Sequence, residues 1–207
     1  MASLAQLSSE VSTWLNRRDA ASLIPGWVSM TETDIAETLR ARCMIGRATQ
    51  PINGNFITLP SDFVGFESVR DNTSGDLLTL EDHFTGSARP TGDPSSGYRL
   101  VGDCIEFLPH PAIPDPIPVG WQPQAVNIAY YRRPKALKDP QDTNSVLEQL
   151  YAVYLFGVCR YGAMFELDDA RATQMENAFG VAVTQANLWK DASQYSGAPL
   201  RAVVRGF

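Results

Sequence analysis

Cysteine and histidine are scarce in this chain. Three cysteines, Cys43, Cys104 and Cys159, and two histidines are spread over 207 residues. The cysteines are odd in number, far apart and never in a CxxC pair, which excludes a zinc knuckle or a dithiol redox site. Reduced, mostly buried thiols are expected instead. Charge is low as well: Asp, Glu, Lys and Arg make up 19% of the residues, and the net charge is −6. An acidic chain lacks the basic footprint that tight wrapping of nucleic acid requires, although it suits a wall past which DNA slides. Long hydrophobic runs are missing. The most apolar stretch, Tyr151 to Phe165, contains Arg160 and is too short to cross a bilayer. The opening MASLAQLSSEVSTWLNRRD lacks a signal-peptide pattern. No membrane partner is expected.

Motifs for chemistry are equally sparse. There is no GxSxG, no phosphate-cradling GxxxxGK[ST] and no GxGxxG. His83 lies in Glu81-Asp82-His83-Phe84 and His110 between prolines. Adjacent ligands on a strand point to opposite faces, so the first cluster reads as a solvated turn and not as a metal site. Asp103 and Glu106 could pair across a hairpin, but with 23 acidic residues some pair always looks suitable. The chain is therefore expected to carry no catalytic residue, no metal and no cofactor.

What is present is a clear alternation of textures. Leu4, Leu7, Val11, Trp14 and Leu15 make one helix face, with Ser3 as N-cap. Pro25 opens a second helix over about 25–43. From Pro51 to Pro134, prolines and glycines punctuate short apolar runs: Phe56–Leu59, Phe63–Val69, Leu77–Leu80, Tyr98–Val101, Cys104–Leu108 and Val126–Tyr131. Gly102-Asp103 has Gly first, as a type II′ hairpin turn requires. Ser145-Val-Leu-Glu148 has capping-box spacing, with Asn144 and Asp142 as alternative caps, and starts a helix to Phe165. Its apolar residues cover more than half its circumference, so it is either central in its own bundle or shared with a neighbour. A last helix, from Asp168-Asp169 to about Tyr195, has the narrower stripe Met175, Phe179, Ala182, Ala186 and Trp189. The expected fold is α+β: an antiparallel four-helix bundle (1–48 and 136–195) with an inserted antiparallel β module (49–135) and an extended C-terminal arm (196–207).

Two surface features invite partners. The arm, SGAPLRAVVRGF, has no carboxylate side chain. Leu200, Ala202 and Val204 share one face of an extended strand and Arg201, Val203 and Arg205 the other, with Phe207 at the end. Such a strand can add to a partner's sheet or lie in its groove. Arg132, Arg133, Lys135 and Lys138 form the one basic cluster, a contact for an acidic partner or DNA phosphate, or else a solvated connector.

Four stretches, in this order and spacing, resemble the tailed-bacteriophage head–tail adaptor family. They are Asn16-Arg17-Arg18-Asp19 to Ile24-Pro25-Gly26-Trp27, continuing to Leu39-Arg40; Leu59-Pro60-Ser61-Asp62-Phe63; Tyr98 to Pro111; and Val126 to Tyr131 with Arg133-Pro134, Leu137, Asn144 and the Tyr151–Phe165 helix. The resemblance implies a structural virion protein at the head–tail junction, made in the host cytoplasm. It implies a twelve-fold ring of this chain, a portal protein above, a tail or nozzle protein below, and DNA passing through the lumen without sequence-specific binding. On that footing the arm residues Leu200, Arg201, Val203, Val204, Arg205 and Phe207 would bind the portal. The apolar helix residues Leu147, Tyr151, Tyr154, Leu155, Val158 and Phe165 would be covered by the next subunit in a closing ring. The competing readings are a virion-associated cell-wall hydrolase, which needs converging carboxylates, and a small nucleic-acid-binding module built on residues 132–138.

Overall fold

Contacts divide the chain into two units, one drawn from Met1–Met44 and Pro134–Phe207 and the other from Ile45–Arg133. They are seen in a computed structural model that describes residues 2–17, 19–51, 56–72, 75, 77, 79–80, 97–108 and 125–195.

Among its described residues the first unit holds five α-helices: α1 (Leu4–Trp14), α2 (Ile24–Thr38), α3 (Ser145–Gln149), α4 (Tyr151–Phe165) and α5 (Asp169–Tyr195). Ser3 caps α1 as expected, its hydroxyl accepting the Gln6 N–H, and Leu4, Leu7 and Val11 are buried. The helix ends at Asn16, whose φ of 55° is one that Asn tolerates. There the Asn16 N–H donates to the Thr13 carbonyl and the Arg17 N–H to the Ser12 carbonyl, a Schellman closure. α2 stops at Thr38, well short of residue 43, because the chain turns extended at Leu39. The Arg40 N–H then donates to Asn187 Oδ1 on α5 at 2.7 Å instead of to a helical carbonyl. The expected helix from Ser145 to Phe165 is two helices. Leu150, at φ −130° and ψ 47°, breaks it, and the cap at its start is Asn144.

α4 is the centre of the unit, and the other four helices all pack on it. Two glycines let them approach. A Cβ on Gly157 would stand 2.5 Å from Thr31 Cγ2 of α2 and 3.2 Å from the Phe179 ring of α5. A Cβ on Gly162 would stand 2.3 Å from Leu15 Cδ1. Every α4 residue from Val153 to Ala163 is buried except Phe156 and Tyr161, which are half-buried. The expected antiparallel four-helix bundle is thus corrected, while the α+β class stands. Four helices gather around one hub, α4, since an all-round apolar helix is best covered by surrounding it. On α5 the buried stripe is Met175, Phe179, Val183 and Ala186; Trp189, expected to continue it, is 78% exposed.

Among its described residues the second unit has seven strands: β1 (Ile45–Pro51), β2 (Phe56–Thr58), β3 (Phe63–Asp71), β4 (Thr79–Leu80), β5 (Gly97–Val101), β6 (Cys104–Leu108) and β7 (Ala125–Arg132). They form a three-stranded sheet, β1-β7-β3, and a four-stranded one, β2-β6-β5-β4. Alternation along β7 turns Val126, Ile128 and Tyr130 inward. There they meet Val69 of β3, Ile57 and Leu59 at β2, and Ile105 of β6 in one core. The Gly102-Asp103 turn links β5 to β6 as expected, with Gly102 at φ +58° and Val101 opposite Cys104. Two features depart from the expected antiparallel module. β4 pairs with β5 in parallel, and β1, whose IGRATQP carries little strand signal, is recruited along the whole of β7.

Candidate functional site

The residues that carry the family resemblance turn out to be fasteners. In Leu59-Pro60-Ser61-Asp62-Phe63, Leu59 enters the β core, and the Phe63 N–H closes a turn on the Pro60 carbonyl. Asp62 then locks that turn to β7. Its carboxylate accepts from the Tyr130 hydroxyl at 3.0 Å and its carbonyl accepts from the Arg133 N–H at 2.7 Å. Phe63 stacks obliquely on Phe66, with ring centroids 4.6 Å apart. Asn144 does comparable work in the helical unit. Its Oδ1 accepts the Leu147 N–H, capping α3, while its Nδ2 donates to the Lys135 carbonyl and to the Tyr154 hydroxyl, each at 2.8 Å. Tyr154 in turn donates to Glu32 on α2, and Glu32 also accepts the Leu137 N–H. Burial raises the Glu32 carboxyl above its ordinary value, only partly offset by these donors.

The helix residues assigned to a subunit interface separate into two groups. Leu147, Tyr154, Leu155 and Val158 lie inside their own unit, between 0% and 8% exposed. They are covered by the chain's own helices. Tyr151 is half-buried, and Phe165 remains open at 58%, its ring tilted against Trp27 at 5.9 Å. Beside Phe165 the exposed Met164 and Leu167 extend an apolar apex between α4 and α5. Leu167 sits at φ +57°, the C′ site of a Schellman closure from Leu167 to Met164 and from Asp168 to Ala163. Glycine usually fills that site, because a Cβ there costs about 1–2 kcal/mol.

Arg160 is the buried charge at the hub. Its guanidinium donates to Asp34 of α2 and to Glu176 of α5, and it lies 4.5 Å over the Tyr161 ring and 4.8 Å over Phe179. Burial opposes the charge, but the two carboxylates outweigh it, and the guanidinium holds its proton more tightly than usual. Three helices are pinned by this one side chain. Cys159 next to it is a buried thiol, pushed up to about 12 by desolvation and so inert as a nucleophile.

Of the basic cluster, the Lys135 side chain and the Lys138 backbone are tied into a loop. Lys135 Nζ reaches Asp142 Oδ1 at 3.1 Å, and Asp142 Oδ2 accepts the N–H groups of Lys138 and Asp139 at 2.9 Å each. Arg132 and Arg133 are exposed. The arm residues Leu200, Arg201, Val203, Val204, Arg205 and Phe207 lie outside the described residues, as do Glu81-Asp82-His83 and His110. Among the described residues no group of acidic, histidine or cysteine side chains could hold a metal ion, and no helix is long and apolar enough to cross a membrane. The outer face of α5 was missed by sequence reasoning. Its Val181, Leu188 and Trp189 are more than half exposed. The signal was readable: from Ala172 to Trp189 the only charged residue is Glu176.

What these groups do is join elements of the chain to one another. Comparison with known families gives the class, the structural adaptor proteins of phage particles. The chain belongs to the SU10 adaptor protein family, the match running from residue 2 to residue 203 and so through both units. This is a family of structural phage proteins and not of enzymes, and it places the chain in the virion among head and tail components. No curated protein matches the chain.

Proposed function

We propose that the protein assembles as a dodecameric ring that joins the portal to the tail and lets DNA pass through its lumen. The observation that carries this reading is the adaptor-family match across residues 2–203. A net charge of −6 supports a lumen that does not grip a sliding polyanion. The helical unit docks toward the portal and the β unit toward the tail or nozzle protein. The arm, through Leu200, Arg201, Val203, Val204, Arg205 and Phe207, inserts as an extended strand into the portal. Each contact is modest, and closure of the ring multiplies them. A DNA-binding role for residues 132–138 is weaker, because Lys135 is already paired with Asp142.

Incubating the full chain with its portal and imaging the particles by negative stain tests the ring. One annulus of adaptor beneath each portal is expected, and single scattered copies would refute it. Deleting residues 197–207 tests the arm by co-sedimentation with the portal. Binding should fall steeply, and unchanged binding would remove the arm from the interface.

A further inference from the structure

We propose that the outer face of the β1-β7-β3 sheet carries a pocket for a phosphate group, clamped between Arg47 and Arg70. The pocket is built wholly within the second unit of one chain, so it stands or falls apart from the ring. Alternation settles which side chains meet there. Val126, Ile128 and Tyr130 of β7 turn into the core, so Asn127 and Ala129 turn away from it. Register then places Arg47 of β1 and Ser68 of β3 on either side of Ala129, and Thr49 and Arg70 on either side of Asn127. The two arginines stand at opposite corners of this patch, with Cα atoms about 12 Å apart for two strand spacings across and two residues along. The small Ala129 and Ser68 leave a hollow between them. Its volume is about 440 Å³, and both arginines line it. That lies within the range of small-ligand pockets.

Charge and hydrogen bonding name the ligand. No carboxylate lines the hollow, and Glu67 on β3 is engaged by the Tyr131 hydroxyl. Among the described residues the Arg47 guanidinium has no hydrogen-bond or ion-pair partner, and Arg70 donates only from Nη1, to the Gly75 carbonyl at 3.2 Å. With 23 acidic side chains against 17 basic ones, two arginines sharing one hollow without an acid run against the composition of the chain. Their mutual repulsion is relieved by an anion between them.

The floor is fixed before any ligand arrives. Thr49 Oγ1 donates to Asn127 Oδ1 at 2.7 Å, and Asn127 Nδ2 donates to Asn72 Oδ1 at 2.8 Å. The Ser68 hydroxyl has no partner among the described residues and is left to donate. A carboxylate offers one charge in one plane. A phosphate offers tetrahedral oxygens, so guanidinium forks from two strands and the Ser68 hydroxyl can each take a different one. No aromatic side chain lines the hollow, so a base would find nothing to stack on, and contact stops at the phosphate and carries no sequence information. A free phosphate compound and a DNA backbone share this chemistry.

The test titrates the full chain with inorganic phosphate and, separately, with a short DNA duplex, following the amide resonances of Thr49, Ser68 and Ala129 by NMR. Saturable movement of these amides is expected. Arg47→Gln and Arg70→Gln should each weaken the response about tenfold or more, as loss of a charge-assisted contact does. Ala129→Leu keeps both charges but fills the hollow, and should abolish it. Arg42→Gln, which removes an exposed arginine of the helical unit, should leave it unchanged. Movement by the duplex, lost in the same variants, assigns the phosphate to a nucleic-acid backbone; movement by free phosphate alone assigns it to a small compound; either upholds the pocket. Still amides with both probes, an undiminished response in Ala129→Leu, or movement only with a poly-glutamate peptide would overturn it, and the ring reading would remain standing.

Discussion

Gly157 and Gly180 sit on neighbouring helices and have opposite surroundings. Around Gly157 of α4, atoms of α2 and α5 stand 2.5 and 3.2 Å from where a Cβ would be; around Gly180 of α5 nothing comes within 4 Å. The contrast extends to the helices themselves. α4 is apolar on nearly every side and is enclosed by its own chain, whereas α5 is more polar and leaves Val181, Leu188 and Trp189 in the open. Greasiness therefore marks the centre of this unit, and missing charge marks its open surface. Alanine at each site turns that contrast into numbers. Gly157→Ala should destabilise by about 3 kcal/mol, at the upper end of overpacking costs, because the short, buried Thr31 has no room to move. Urea unfolding measures it, and a cost near zero would mean that the helices are looser than described. Gly180→Ala should stabilise the free chain by up to about 1 kcal/mol. A loss of stability there would show that the backbone at Gly180 is already in use within the subunit.

The same contrast shows what was legible in the sequence. Element type was readable wherever one local rule governed: the Ser3 cap with Leu4, Leu7 and Val11, the alternation of Val126, Ile128 and Tyr130, and the glycine-first turn at Gly102. The family was readable for a related reason. Asp62 satisfies partners about 70 residues away and Asn144 satisfies three within ten residues on either side of it, so residue type and spacing are both constrained there. Helix ends were misread where a distant group decides, as when Asn187 takes the Arg40 N–H and ends α2 early. β1 was missed because its pairing with β7, and not its own residues, makes it a strand. The apolar girth of α4 left it open between the centre of a bundle and a surface shared with a neighbour, and Tyr154, Leu155 and Val158 are enclosed by the chain itself. Girth alone does not distinguish a hub from an interface; which helices surround it does, and that is a property of the assembled unit. On α5, whose pattern looked ordinary, the informative feature was what its exposed positions lacked.

The smallest expected effect concerns the loop between β7 and α3, which holds the start of α1. Asp142 is held down to about 2 by the N–H groups of Asp139 and Lys138 and by Lys135. A carboxylate whose folded value lies below its unfolded one stabilises the fold above the unfolded value, and loses that contribution as the pH falls toward the folded one. The window is therefore from about pH 4 down to about pH 2. Within it the loop should loosen and release the start of α1, whose Leu4 and Ala5 N–H groups donate to the Asp142 and Pro140 carbonyls. Hydrogen exchange at those two amides, followed across the window, reads the change locally. Glu32 pulls the other way, since burial raises its value and protonating it relieves a cost. Comparison with Asp142→Asn cancels that contribution, because parent and variant both carry Glu32. The parent's amides should lose protection with acid while the variant's, already weakened at neutral pH, stay level. Parallel curves for the two would show that Asp142 does not hold this loop.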